Sequence, residues 1–251
     1  MMVFRWGQGL RRRVQRFAPV VNDVLDLLFP KFCPVCGTHV THPRWFCRDC
    51  FRSLPPMPEQ HCLRCGGTTS EPVWGCGLCL HEGDLPDRVY FPFCYLDSVA
   101  EIIVGFKFFD HTEWASGLAD LAMERVGIDL MWEDVALVVP VPLHPSRLLW
   151  RGYNQSALLA GVMARRLDRP LVTHGLHRIR RTRPQVRLRQ DERRSNVQDA
   201  FLARRDVIGN RSVLLVDDVF TTGSTVWAAT RALKKGGATR VVVCCLARVD
   251  H

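Results

Sequence analysis

"VLLVDDVFTTGST", residues 213–225, joins an apolar run to two adjacent acids, Asp217 and Asp218, and then to four hydroxyl residues around a single glycine. In an α/β sheet, ligands bind beyond the carboxyl ends of the strands, where the following helix begins. The acids stand at such an end, and Thr221, Thr222, Gly223, Ser224 and Thr225 form the turn that feeds the helix. Glycine lets the backbone approach a ligand, while successive N–H groups, hydroxyls and the helix dipole make an anion cradle that suits a phosphate. The acids cannot serve the same phosphate, since like charges repel. Carboxylates instead accept hydrogen bonds from vicinal hydroxyls, as on a ribose. A ribose 5-phosphate site is the reading that uses both halves. A nucleoside-triphosphatase loop would need G-x4-G-K-[ST] and a dinucleotide loop G-x-G-x-x-G, and neither is present. A capped helix with solvated acids explains one hydroxyl but not two acids and a whole loop.

Alternating elements surround this stretch. "VALVVPVPL" (135–143) is a continuous apolar run of the kind buried in a parallel sheet. "RVYFPFCYL" (88–96) reads as a strand or hairpin, and "SVAEIIVGFKFF" and "WASGLADLAMERV" as amphipathic helices. "SRLLWRGYNQSALLAGVMARRL" has helical periodicity and "PLVTHGLHRI" is a further strand candidate. The close is a strand over 213–216, a helix from about Thr225 to Lys235, a turn at Gly236 and Gly237, and the strand "RVVVCCLARV". Strands alternating with helices predict an α/β domain with a mostly parallel sheet flanked by helices.

Eight of the eleven cysteines lie between Cys33 and Cys79 as four C-x2-C pairs, and C-x2-C-x10-C-x2-C occurs twice. Each pair lets two thiolates grip one ion from a tight turn, and two pairs complete a tetrahedral site. Gly37 and Gly66, each just after the second cysteine of a pair, allow those turns to close. The repeat favours two sequential zinc sites, Cys33, Cys36, Cys47 and Cys50, then Cys62, Cys65, Cys76 and Cys79. A cross-braced pairing would use the same residues. The repeated spacing argues against an iron–sulfur cluster or a redox dithiol. His39, His42, His61 and His81 lie nearby and are expected to face solvent. Cys94, Cys244 and Cys245 sit in strand-like contexts and are expected as buried core thiols.

The chain has 251 residues with 47% apolar content, enough for one sizeable domain and a small one. Its 34 Lys and Arg against 25 Asp and Glu give a formal charge of +9, which favours anionic partners such as phosphates, nucleic acid or lipid. No apolar stretch approaches the roughly 20 residues needed to cross a bilayer. The first apolar segment is broken by Asp23 and Asp26 and lacks a small-residue cleavage site, so no secretory signal is expected and the protein is read as cytoplasmic. In a reducing compartment abundant cysteine points to metal, not disulfides.

The 213–225 stretch resembles the phosphoribosyl-pyrophosphate (PRPP) signature of type I phosphoribosyltransferases, and the chain more narrowly resembles the ComF family of competence-associated proteins, which includes the GntX-type proteins. The other matching pieces are "LLFPKFCPVCG" with the cysteine pairs, Lys107 in "FKF", "VPVPL", "RGYNQS", and "TRPQVRLRQDERRSNVQDAF" with Thr182, Gln185, Leu188, Arg193, Asn196, Ala200 and Phe201. The resemblance extends from about Asp26 to the carboxyl end. It implies a double zinc-ribbon-like module (26–85) and a phosphoribosyltransferase domain (86–251), preceded here by a basic amino-terminal extension (1–25). The extension lies outside the resemblance and is expected as a solvated tail, with a membrane-surface helix as the alternative.

By resemblance, Asp217 and Asp218 hold the ribose hydroxyls, Thr221 to Thr225 hold the 5-phosphate, and the turn around Val141 matches the pyrophosphate loop. Mg2+ would bridge the pyrophosphate oxygens. Transfer passes through a cationic, oxocarbenium-like state, so catalysis comes from binding both ends of PRPP and neutralising the leaving group, with no protein nucleophile. Arg151, Asn154 and Gln155 follow the Val141 turn at the start of a helix and could reach pyrophosphate or an acceptor; capping is the simpler role for the last two. The arginine-rich segment 178–196 reads as a loop that closes over the leaving group with Arg193. The resemblance implies DNA uptake, with single-stranded DNA or other competence proteins as partners. A second reading keeps the fold as a non-catalytic scaffold or PRPP sensor in a single-stranded nucleic-acid-binding module. The acceptor is not spelled out by any motif.

Overall fold

Val213 to Val216 are fully buried, as a strand covered on both faces must be. The computed structural model describes residues 27, 30–41, 45–81, 85–127, 134–180 and 199–249. Among them the strands are β1 (Lys31–Phe32), β2 (His39–Val40), β3 (Arg88–Tyr90), β4 (Phe93–Cys94), β5 (Leu137–Pro140), β6 (Leu176–Arg178), β7 (Phe201–Ala203), β8 (Ser212–Phe220) and β9 (Arg240–Arg248). The helices are α1 (Arg48–Ser53), α2 (Gly77–His81), α3 (Asp97–Phe108), α4 (Trp114–Val126), α5 (Pro145–Arg151), α6 (Gln155–Leu167), α7 (Arg205–Ile208) and α8 (Ser224–Lys235).

The main sheet runs β3–β9–β8–β5, all parallel, with β4 also paired to β9. Helix α6 packs on β5 and β8 and against α4, and α8 packs on β9. This is the α/β architecture, a mostly parallel sheet flanked by helices, that the alternating pattern predicts. The chain divides into two compact units, residues 1–53 and Leu54–His251. The first holds the β1–β2 hairpin, α1 and the first cysteine quartet. The second holds the sheet together with the second quartet. Cys62, Cys65 and Cys79 belong to the same apolar cluster as Phe91, Phe220, Val226 and Trp227. The boundary after residue 85 that the resemblance implies and the packing boundary after Ser53 thus fall in different places.

Several local expectations change in the structure. The strand read over 213–216 continues to Phe220, because the equally long β9 offers a ladder past the acids, pairing Asp217 with Cys245 and Val219 with Ala247. "RVYFPFCYL" is no hairpin: β3 and β4 both run parallel to β9, separated at Pro92, which has no N–H to give the ladder. The single helical pattern after Pro145 splits into α5 and α6, because Asn154 adopts an extended backbone and caps the second helix. In "PLVTHGLHRI", Leu171 bridges Val138, while β6 leaves the main sheet and pairs with β7. Cys94, Cys244 and Cys245 are buried, as expected. No helix among the described residues is long and apolar enough to cross a membrane.

Candidate ligand site and metal centres

Strand β8 carries both acids to the carboxyl edge of the sheet, where each is held by its own chain and by one distant residue. The Asp217 Oδ1 accepts from the Ser156 hydroxyl at 2.8 Å and from the Asp218 N–H at 3.0 Å. The Asp218 Oδ1 accepts from the Val219 N–H at 2.6 Å and forms an ion pair with Lys107 Nζ at 2.9 Å. Burial, followed by the charge of Asp218, pushes the Asp217 carboxyl up to about 7; the Ser156 hydrogen bond and Lys107 act the other way. Two carboxylates side by side in a half-dry site cannot both ionise freely. Hydroxyl donors from a ligand would relieve that strain.

Beyond Phe220 the chain turns through Gly223, whose φ of 78° is left-handed, and enters α8 with no side-chain cap on its first turn. A Cβ at Gly223 would lie 2.6 Å from Trp227 Cε2 and 2.7 Å from Phe220 Cζ, so packing as well as backbone conformation demands glycine here. The Thr222 and Ser224 hydroxyls are 2.8 Å apart. A helix start without a side-chain cap, ringed by hydroxyls, is an anion site in form. Across the sheet edge, the Val141 N–H donates to Val216 O at 2.9 Å, which sets the turn after β5 beside Asp217.

Asn154 serves that turn through the protein: its Nδ2 donates to Val141 O at 3.0 Å and its Oδ1 accepts from the Ser156 N–H at 3.1 Å. Gln155 is 1% exposed, and its Nε2 has no hydrogen-bond partner among the described residues. Arg151 closes α5, with its guanidinium 5.0 Å from the Phe108 ring centroid. Burial lowers its pKa, and Asp218 opposes the shift.

Three residues without an assigned role in the motif reading converge on the acids. Lys107 lies beside Phe106, which ends the buried stripe Val99–Ile102–Ile103–Phe106 of α3. Ser156 follows the Asn154 cap. Arg178, the first residue of the arginine-rich segment, is not in an open loop but in β6, buried, 5.2 Å from the Phe201 ring centroid. Its pKa falls to about 10 through burial and Arg147, against the pull of Asp217. Only their order in "FKF" and "RGYNQS" hinted at the first two. Arg193, with Arg187, Arg189 and the rest of 181–198, lies outside the described residues, as does the 1–25 extension.

In each cysteine quartet, Cys33–Cys36–Cys47–Cys50 and Cys62–Cys65–Cys76–Cys79, the four sulfurs lie within 4.8 Å of one another. The arrangement is therefore sequential and not cross-braced. Tetrahedral zinc with bonds of about 2.3 Å spaces its sulfurs about 3.8 Å apart. The recorded separations are 3.8 Å (Cys36–Cys47), 3.6 Å (Cys62–Cys79) and 3.5 Å (Cys65–Cys76), so both quartets fit the ion. Backbone N–H groups face sulfur at Gly67–Cys65, 3.3 Å, and Cys50–Cys47, 3.4 Å. His39 is exposed, His61 is half-buried with Nδ1 2.7 Å from Pro58 O, and neither joins a quartet; His42 lies outside the described residues.

Two family models match the chain: the double zinc ribbon domain over residues 24–80 and the phosphoribosyl transferase domain over 154–251. Competence protein F of Haemophilus influenzae is 31% identical over 207 residues, covering 80% of this chain and 90% of that protein. DNA utilization protein YhgH of Salmonella typhimurium is 31% identical over 226 residues, covering 88% and 99%. Competence protein ComFC of Bacillus subtilis is 35% identical over 106 residues, covering 42% of this chain and 41% of that protein.

Proposed function

The chain belongs to the competence protein F (ComF) family, and from that premise we propose that it binds PRPP with Mg2+ and transfers the phosphoribosyl group to an acceptor. The observation that carries this reading is the meeting, at one sheet edge, of the β8 acids, the uncapped start of α8 and the Val141 turn. Asp217 and Asp218 would take the ribose hydroxyls, residues 221–225 the 5-phosphate, and the Val141 turn the pyrophosphate. Mg2+ bound together with PRPP beside the Val141 turn would supply charge neutralisation of the leaving group. The acids also face the cationic sugar that forms as the C1′–O bond breaks. Pyrophosphate departs with the electron pair, the acceptor nucleophile bonds to C1′, and its proton passes to water. Arg193 is proposed to approach the leaving group, and Arg151 and Lys107 add positive charge to the same side. Asn154 acts by holding the Val141 turn. Gln155 would serve PRPP only by turning its amide toward the ligand.

The proposed setting is cytoplasmic handling of DNA during uptake, a reading supported by relatives named for competence and for DNA utilization. Titration calorimetry with PRPP and Mg2+ tests the site: the Asp217→Asn/Asp218→Asn double variant is expected to bind at least 100-fold more weakly. Unchanged heats in that variant would sink it. The +9 charge favours a second reading, a single-stranded nucleic-acid module without turnover. On that reading, single-stranded DNA affinity falls steeply with salt and drops in Arg187→Ala/Arg189→Ala/Arg193→Ala, whereas pyrophosphate release from PRPP is never seen with any acceptor.

A further inference from the structure

Of the eight ribbon cysteines, Cys36 alone is exposed. It sits in the turn between β1 and β2, its sulfur 3.8 Å from that of Cys47 and 3.2 Å from the Thr38 hydroxyl. Cys47, just ahead of α1, is itself part-exposed. Cysteine attacks peroxides as the thiolate, and access decides which thiolate reacts. A sulfur that ligates zinc is held in that form at neutral pH. The first quartet therefore presents one thiolate to water and, at sulfur-contact distance, a second able to resolve its oxidised product.

The second quartet has the same spacing without the same access. Cys62 and Cys65 are 0% exposed and Cys79 is 8% exposed. Its outermost sulfur belongs to Cys76, which is part-exposed, but the neighbour it would bond is Cys65, 3.5 Å away. Cys65 lies inside the apolar cluster, where its sulfur accepts the Gly67 N–H at 3.3 Å. Closing an S–S bond there has to move a core residue. Closing one between Cys36 and Cys47 draws a surface turn toward the start of α1, a helix that buries none of its residues.

We infer that Cys36 and Cys47 form a peroxide-reactive pair whose oxidation opens the first metal site while the second stays closed. The Cys36 thiolate attacks one oxygen of hydrogen peroxide, the O–O bond breaks, and hydroxide leaves with the electron pair, giving a sulfenic acid. The Cys47 thiolate then attacks the Cys36 sulfur, the S–S bond forms, and a second hydroxide leaves. The two thiolates lose two electrons and the peroxide gains them; both hydroxides take protons from the medium. With two thiolates left, the quartet no longer completes a tetrahedral site, and its ion is released as Zn2+. The second unit, Leu54–His251, keeps its own core, so the step asks nothing of the ligand site.

The test treats the full zinc-loaded chain with hydrogen peroxide while a chromogenic chelator reads free zinc and mass-spectrometric mapping reads the cysteines. One ion is expected in a first phase, with the second released at least tenfold more slowly. The first disulfide to form should be Cys36–Cys47, and a sulfenic-acid-specific dione added at the outset should label Cys36. Thiol reductant and zinc should restore two ions. Cys36→His keeps a ligand for zinc and removes the reactive sulfur, so it is expected to hold two ions and lose the fast phase. Equal release from both quartets, no release, a first disulfide elsewhere, or an unchanged fast phase in Cys36→His overturns the pair. Should that variant hold a single ion, the wild-type disulfide map decides by itself.

Discussion

The two cysteine quartets share one spacing but occupy very different surroundings. In the first, Cys33 alone is buried, Cys36 is exposed, and Cys47 and Cys50 are intermediate. In the second, Cys62 and Cys65 are wholly buried and Cys79 nearly so, within the apolar cluster that also holds Phe220 and Trp227. The corresponding glycines make the contrast concrete. Gly37 and Gly66 have nearly the same φ, 70° and 75°, yet a Cβ on Gly37 would meet nothing within 4 Å, whereas one on Gly66 would lie 2.6 Å from the Phe91 ring. Phe91 in turn packs on Phe220 with ring centroids 4.8 Å apart, and Phe220 leads directly into the 221–225 turn. The Arg248 guanidinium, at the end of β9, donates to the Thr68 hydroxyl at 2.7 Å. Identical cysteine spacing thus serves a self-contained ribbon in one case and a buttress behind the 221–225 turn in the other.

Removing each metal separately is the most severe way to break this comparison. A structural zinc held by four thiolates contributes an apparent ~10–16 kcal/mol in isolated fingers, as much as a whole domain's stability of about 5–15 kcal/mol. Cys62→Ser/Cys65→Ser is expected to abolish the main calorimetric transition and PRPP binding together. Cys33→Ser/Cys36→Ser is expected to leave that transition within a few degrees. Metal content should fall from two ions to one in either variant. Coincident melts in the two variants would erase the distinction drawn here.

The paired glycines give a smaller effect. Gly37→Ala incurs only the left-handed backbone penalty, about 1–2 kcal/mol. Gly66→Ala adds an overpacking cost of about 1–3 kcal/mol against Phe91. Zinc release to a chelator, with the melting temperature read beside it, should therefore separate the two substitutions. Equal losses would place Gly66 outside the core. A finer test is Thr68→Val, which removes the acceptor of Arg248 and is expected to cost about 1–3 kcal/mol in the second unit, with zinc content unchanged.

The smallest expected effect lies at the acids and should be indifferent to the first quartet. Asp217 in the ligand-free fold titrates near 7, well above an ordinary carboxyl. Hydroxyl donors favour its ionised form, so PRPP affinity should be full above pH 7 and weaken by up to tenfold per unit as pH falls below it. Stability runs in the opposite direction. A carboxyl whose folded pKa is raised destabilises the fold progressively as pH rises from the ordinary carboxyl range, about 4, to about 7, so Asp217→Asn should raise the ligand-free melting temperature most at pH 8 and change it little at about pH 4 or below. Calorimetric PRPP titrations across that range in wild type and in Cys33→Ser/Cys36→Ser should share one midpoint. A midpoint that moves with the first quartet would couple it to the ligand site.

Legibility in the primary structure followed the range of each interaction. The acids and the 221–225 turn were readable because strand, turn and helix start are consecutive, and the quartets because chelation needs only short spacings. Lys107 and Ser156 were quoted inside motifs yet had no assigned job, since their partners are 111 and 61 residues away in the chain. The split between α5 and α6 was hidden because apolar periodicity continues through "WRGYNQS", and only the Asn154 bonds to Val141 and Ser156 reveal the break.

The order of residues alone therefore settled the α/β class, the strand, turn and helix start of 213–225 and the two groups of four thiolates, because each depends on local geometry. Tertiary packing decided the rest. It made one quartet part of the main core, left Cys36 of the other exposed, and placed Lys107 on Asp218 and Ser156 on Asp217. Those outcomes depend on which distant surfaces exclude water from one another, and two stretches with the same spacing carry no record of which of them will be buried.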